Sequence, residues 1–196
     1  DHINGLELWK SDGTENGTIM VKDILVGNNG SNPQFLTNIN GVLYFQANNG
    51  LNGIELWKSD GTESGTILVK DITSGGNSSN PSNLQNVDNT LYFTSNDDIH
   101  GMELWKSDGT ESGTVLIKDI NISFKSIYSP NINDFYNINN TLYFNNSGSL
   151  WQSDATASGT VLVDENNPLR IANYYNENNS LISNNVIYFS GSDDIS

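Results

Sequence analysis

Cysteine is absent from the 196-residue chain, and with it go disulfide staples, thiolate metal centres and thiol redox chemistry. Proline is scarce, at four residues. Positive charge is scarce too: 8 Lys plus Arg stand against 23 Asp plus Glu, a formal net charge of −15. A surface so negative repels phosphate backbones and anionic lipid, which argues against nucleic acid and membrane surfaces as partners. No apolar run reaches the roughly 18 residues of a bilayer-spanning helix, so membrane insertion is not expected. The first residues carry no basic stretch followed by an apolar one, so an export signal is expected outside this segment. Polycations, divalent cations and neutral ligands such as glycans stay open as partners. Abundant Asn, Ser, Gly and Thr with an acidic balance fit an extracellular or bacterial cell-surface protein.

What is present is repetition. Trp recurs at Trp9, Trp57, Trp105 and Trp151, at spacings of 48, 48 and 46. Around it the chain reads GLELWKSDGTENGT, GIELWKSDGTESGT, GMELWKSDGTESGT and, more loosely, GSLWQSDATASGT. Each copy runs on into a β-branched stretch (TIMVKDI, TILVKDI, TVLIKDI, TVLVDE), a polar linker, a short strand, a turn and an aromatic LYF-type strand. The repeats fall at about 5–52, 53–100, 101–147 and 148–196, within one domain expected to span 1–196.

Every repeat thus offers four short strands separated by Gly, Asn and Asp turns, with no helical periodicity. Asn-Gly or an Asn/Asp pair between the first two strands is a strong hairpin signal. Four antiparallel strands in a period of 40 to 50 residues predict a propeller blade. ELWK and ILVKDI carry apolar groups on both faces, as expected where sheets stack and bury both sides. The expected fold is therefore an all-β propeller of four blades. In it, residues 181–190 supply the two inner strands of the blade whose outer strands lie in 5–24, a two-plus-two clasp. A segment of a larger propeller is the alternative.

These residues resemble the ELWxxDGT repeat family of bacterial proteins, matched by ELWKSDGT three times and degenerately by LWQSDAT. The resemblance implies propeller-type units within large secreted or surface proteins, this chain being part of a longer polypeptide. It implies no enzymatic residues. The fourth copy departs from the pattern at Ser149, Ala155 and Ala157.

Candidate residues follow from weighing turn chemistry against site chemistry. Asp12, Asp60, Asp108 and Asp154 read as Asx-turn carboxylates, and as cation ligands with Glu15, Glu63 and Glu111 only secondarily. Calcium has no specific motif here, and no cofactor is expected. Gly13 gives way to Ala155 in the fourth copy, whereas Gly17, Gly65, Gly113 and Gly159 persist, so the second glycine is expected to hold the left-handed backbone. The four tryptophans, and Tyr44, Tyr92, Tyr143 and Tyr188, are expected in the core between sheets. His2 and His100 lack metal-ligand spacing. No nucleophile elbow, P-loop or dinucleotide fingerprint occurs, and no pair of carboxylates is singled out for glycoside hydrolysis, so no catalytic residue is assigned.

The asymmetric parts are the linkers after the third and fourth Trp motifs, NISFKSIYSPN and ENNPLRIANYYNE. They hold Lys125, Tyr128, Arg170, Tyr174 and Tyr175, expected on one face with Asp97 and Asp98. Loops on a rigid scaffold carry recognition, and Tyr and Arg are enriched at such sites. The expected function is a non-catalytic recognition or adhesion module for a glycan or another surface protein. A structural spacer repeat is the second reading, and a glycoside hydrolase-like enzyme the third.

Overall fold

The computed structural model describes residues 3–120, 132–163, 170–171, 180–189 and 191–192. Their secondary structure is all β. The strands are β1 (Leu8–Lys10), β2 (Ile19–Lys22), β3 (Gln34–Ile39), β4 (Val42–Asn48), β5 (Ile54–Ser59) and β6 (Ile67–Lys70). They continue with β7 (Ser82–Val87), β8 (Thr90–Asn96), β9 (Met102–Ser107), β10 (Val115–Lys118), β11 (Ile132–Ile138) and β12 (Thr141–Asn146). The last are β13 (Ser149–Ser153), β14 (Val161–Leu162), β15 (Arg170–Ile171), β16 (Ser180–Ser183), β17 (Val186–Phe189) and β18 (Gly191–Ser192).

Sheet order follows chain order, as the repeat predicts. β3-β4-β5-β6 form one antiparallel sheet and β7-β8-β9-β10 the next. The third runs β11-β12-β13, after which β13 pairs with both β14 and β15, and β15 carries β18. β1–β2 and β16–β17 are separate two-stranded sheets. Among the described residues no sheet closes on itself.

The hairpin turns have the geometry their sequences call for. Asn40-Gly41, Asp88-Asn89, Asn139-Asn140 and Asn184-Asn185 all have positive φ at both positions, between 48° and 85°. That is the type I′ turn, whose twist matches the flanking strands. The first strand of each of the three larger sheets then bulges, at Gln34/Thr37, Ser82/Gln85 and Asn133/Tyr136.

Neighbouring sheets pack through equivalent residues. Leu8, Val21 and Ile24 meet Phe45, Ala47 and Trp57. Tyr44, Leu56 and Val69 meet Leu91, Phe93 and Trp105. Tyr92, Leu104 and Ile117 meet Leu142, Phe144 and Trp151. Burying each such large apolar side chain contributes about 1.5–3 kcal/mol, so the seams are the main source of stability. The β16–β17 turn continues the series, because Asn185 Nδ2 donates to Asn139 Oδ1 of the β11–β12 turn at 3.1 Å.

Two expectations need correction. Trp57 and Trp105 are buried and Trp151 half-buried, but Trp9 is 46% exposed. Likewise Tyr44 and Tyr92 are buried and Tyr143 half-buried, whereas Tyr188 is 56% exposed. Both exposed rings sit on the two-stranded sheets. Among the described residues no strand pair joins 181–190 to 5–24. Gly191–Ser192 are the repeat equivalents of Ala47–Asn48, which extend β4 along Glu55 and Ile54; here they pair with β15 instead. The second strand therefore stops short of the length it has in β4 and β8.

Candidate functional site

The acidic turn is a closed hydrogen-bond circuit. Asp12 Oδ1 accepts from Thr14 N (2.9 Å) and Thr14 Oγ1 (2.7 Å), and Thr14 Oγ1 accepts from Gly17 N (2.9 Å). Thr18 Oγ1 donates to Thr14 O at 2.7 Å, and Ser11 Oγ lies 2.7 Å from Thr18 Oγ1. The same contacts recur around Asp60, Asp108 and Asp154. The threonine hydroxyl, then the threonine amide, holds each of these four carboxyls below the ordinary aspartate value. These aspartates are turn-formers, and their oxygen ligands are the turn itself.

The glycine expectation is reversed. Gly13, Gly61 and Gly109 have φ of 90°, 86° and 86°, and Ala155 takes their place at φ 70°. Gly17, Gly65, Gly113 and Gly159 lie outside the left-handed region. A Cβ on any of them would overlap the aspartate carboxylate of its own turn. The second glycine persists because the carboxylate needs its space, not because the backbone needs its freedom.

Sequence reasoning missed the glutamate of ELW. Glu55 and Glu103 are fully buried and Glu7 nearly so. Glu55 accepts from Ile72 N (3.0 Å), Ser79 N (2.9 Å) and Ser79 Oγ (2.6 Å). Glu7 accepts from Ile24 N, Leu25 N, Ser31 N and Ser31 Oγ, and Glu103 from Ile120 N. Each of Glu7 and Glu55 thus ties both ends of the linker that follows its sheet. Burial pushes the Glu55 carboxyl up to about 7, against the pull of its donors, and the nearby Asp71 adds to the rise. The signal was available: Ser-Asn-Pro recurs 24 residues after Glu7 and after Glu55, at Ser31 and Ser79.

Lysine is the second element missed. Lys10, Lys58 and Lys106 donate to the carbonyls of Gly61, Gly109 and Ala155 in the following repeat, at 2.9, 2.8 and 2.8 Å. Lys22, Lys70 and Lys118 donate to Thr66 O, Thr114 O and Thr160 O at 2.8, 2.8 and 2.7 Å. Each of the three seams packed by the apolar clusters therefore carries two lysine clamps pointing the same way along the chain.

The linker after β6 touches the turn between second and third strands of its own sheet and that of the next sheet. A Cβ on Gly53 would overlap Asn77, and Asn77 Nδ2 donates to Asp98 Oδ2 at 3.1 Å. Asp97 accepts from Ile99 N, His100 N and the His100 ring, the last at 2.7 Å. Burial alone would raise the Asp97 carboxyl, but these bonds hold it below the ordinary value, and Asp97 in turn raises His100. Ile3, Leu51 and Ile99 stand exposed at the tips of equivalent turns on this face. Asp97 and Asp98 are thus brought together with His100 and Asn77. Arg170 is described by its backbone alone, paired with Ser149. Lys125, Tyr128, Tyr174 and Tyr175 lie outside the described residues. Among the described residues no three His, Asp or Glu side chains converge as a metal-ligand set.

No family model matches the chain, and no curated protein matches it. Among solved structures, the computationally designed Ika8 protein is similar at 17% identity and a TM-score of 0.43. The match covers 87% of this chain and 52% of the designed one, so the chain spans about half the length of that protein.

Proposed function

We propose that the chain is built of propeller-type blades with a two-plus-two clasp, and that it is a non-catalytic recognition or adhesion module outside the cell or on a bacterial surface, with a glycan as its ligand class. The observation that carries this reading is the internal employment of the repeated charges. The turn aspartates are bonded to their own threonines, the ELW glutamates to linker amides, and six lysines to carbonyls of the next repeat. A group so occupied is poorly placed to act as acid, base or nucleophile. What the repeat leaves unemployed is the linker face, where sequence is free to differ between copies. Exposed Asp98 and the aliphatic tips of Ile3, Leu51 and Ile99 give that face polar and apolar contact points of the kind a sugar ring uses. The resemblance to the ELWxxDGT repeats supports the same setting. A spacer role is favoured by one further observation: the clamps all run from one repeat to the next, a pattern that extends to any number of repeats.

The test is a glycan array probed with the chain, with calcium and again with chelator. Binding to one glycan class is expected, and Tyr174→Ala with Arg170→Ala should abolish it while leaving the melting temperature unchanged. A blank array in both conditions would assign the chain to the spacer role.

A further inference from the structure

Phe35 is an aromatic side chain in a backbone conformation suited to another residue type. Its φ is 57°, in the left-handed region, where the equivalent bulge positions of the next two repeats hold Asn83 and Asp134, each at 53°. Asn and Asp visit that region readily, whereas a bulky side chain there is an outlier. The polar residues also put the position to use. Asn83 Nδ2 donates to Thr94 Oγ1 at 3.2 Å and to Ile132 O of the following sheet at 3.0 Å. Asp134 Oδ2 accepts from Asn145 Nδ2 at 3.4 Å. The ring of Phe35 can make none of these bonds, and Phe35 is 45% exposed.

That exposure does not come from a missing neighbour. Position 35 addresses the following sheet, as its equivalent Asn83 does, and that sheet is in place: Thr37 Oγ1 donates to Leu84 O at 3.2 Å. Leu36 is different. Its equivalents Leu84 and Phe135 pack into the seam with the preceding sheet, the side on which the clasp hairpin proposed above would lie, so its exposure carries no weight. The groups flanking Phe35 are neutral. Gln46 Nε2, on a buried side chain, donates to the exposed Gln34 Oε1 at 3.2 Å. Thr37 Oγ1 also donates to the Phe35 carbonyl, at 3.1 Å.

Backbone strain of this kind clusters at ligand-binding positions. We propose that Phe35 is the stacking platform of a sugar-binding site at the linker end of β3, taking one pyranose ring of a neutral glycan with the Gln34 amide as its hydrogen-bonding partner. The inference rests on the recognition reading above and gives that reading a residue. The face of an aromatic ring carries negative charge density, and the polarised C–H bonds of a pyranose lie against it. Amides and hydroxyls match sugar hydroxyls without leaving a charge unpaired. An anionic sugar would instead meet a chain of net charge −15. The platform stands on a fixed base, because the linker just before it is tied down: Asn32 N donates to Leu6 O at 3.0 Å, and Asn48 N to Ser31 O at 2.9 Å.

The repeat supplies its own control, since Phe35→Asn installs the residue type that stands at position 83. The unsubstituted chain, Phe35→Asn and Phe35→Tyr are compared on a printed array of neutral and of sialylated or sulfated oligosaccharides, with melting temperatures measured in parallel. The unsubstituted chain should retain neutral glycans, and Phe35→Tyr should keep that binding. Phe35→Asn should weaken it about tenfold, the loss expected for one aromatic contact. Its melting temperature should meanwhile rise by about 2–4 °C as the left-handed strain is relieved. A lower melting temperature for Phe35→Asn would make the ring a packing residue and overturn the assignment. Undiminished binding by Phe35→Asn, or capture of anionic glycans alone, would overturn it too and leave the recognition reading standing. No binding by the unsubstituted chain to any glycan would sink both.

Discussion

At the scale of single residues, the two glycines of the DGT turn do different jobs, and the fourth copy separates them. Ala155 accepts φ 70° where Gly61 has 86°, so the first position tolerates a methyl at the cost of left-handed backbone alone. At Gly65 the methyl meets the Asp60 carboxylate, which must leave its bonds with Thr62. Gly65→Ala should destabilise by about 2–3 kcal/mol and Gly61→Ala by about 1 kcal/mol, read as melting temperatures at about 2–4 °C per kcal/mol. Equal losses would mean that the carboxylate circuit adds nothing. Glu55 makes a second residue-level prediction. Its folded carboxyl is pushed up to about 7 from the ordinary glutamate value of 4.5, so the folded chain binds the extra proton between those values. The stabilisation from this group is complete below the lower value and is lost as pH rises through the upper one. Calorimetry from about pH 5 to 8 should therefore find the wild-type melting temperature falling more steeply than that of Glu55→Gln. Parallel curves would show that the buried carboxyl does not titrate there.

At the scale of the element, lysine clamps explain how sheets with few side-chain ion pairs hold their spacing. Among the described residues the one side-chain salt bridge is His100 with Asp97. A lysine donating to a carbonyl gains a charge-assisted bond without burying a second charge. Lys58, half-buried at its seam, should lose about 1–2 kcal/mol on substitution by Met, and the exposed Lys10 markedly less. Urea midpoints of the two variants decide it, and an equal loss would mean that burial of the seam is irrelevant. Much of this element was legible beforehand. Strand order, the Asn-Gly turns and the sheet-facing Trp57 and Trp105 follow from period, turn chemistry and two-faced hydrophobicity. The clamps were not, because a lysine in a strand reads as a solvent-facing residue until the neighbouring repeat is placed beside it.

At the scale of the whole molecule, legibility ended where the repeat stops repeating. Trp9 and Tyr188 follow the same pattern as their equivalents, but burial depends on a neighbouring sheet that local pattern does not contain. Ser149 replaces the buried glutamate in the fourth copy, and Ser149 is also where β13 meets Arg170 of β15, a pairing the other sheets lack. Asp97 and Asp98 could be placed on the linker face because their turn recurs. Lys125, Tyr128, Tyr174 and Tyr175 belong to stretches without a counterpart, so period carried no information about them.

The linker from Ile72 to Ser79 is gripped at both ends by one side chain, Glu55, and the six residues between those ends take no part in that grip. Such a loop is an interchangeable cassette. Its stem is fixed by the scaffold, and lengthening it costs only the slow logarithmic growth of loop entropy, about 0.6 kcal/mol per doubling. Foreign segments inserted at Gly75-Gly76, clear of the Thr73 bond to Asn96 and the Asn77 bond to Asp98, would leave the sheets on either side undisturbed, so the same carboxylate that stiffens the fold also gives lineages, and protein engineers, a place to vary it.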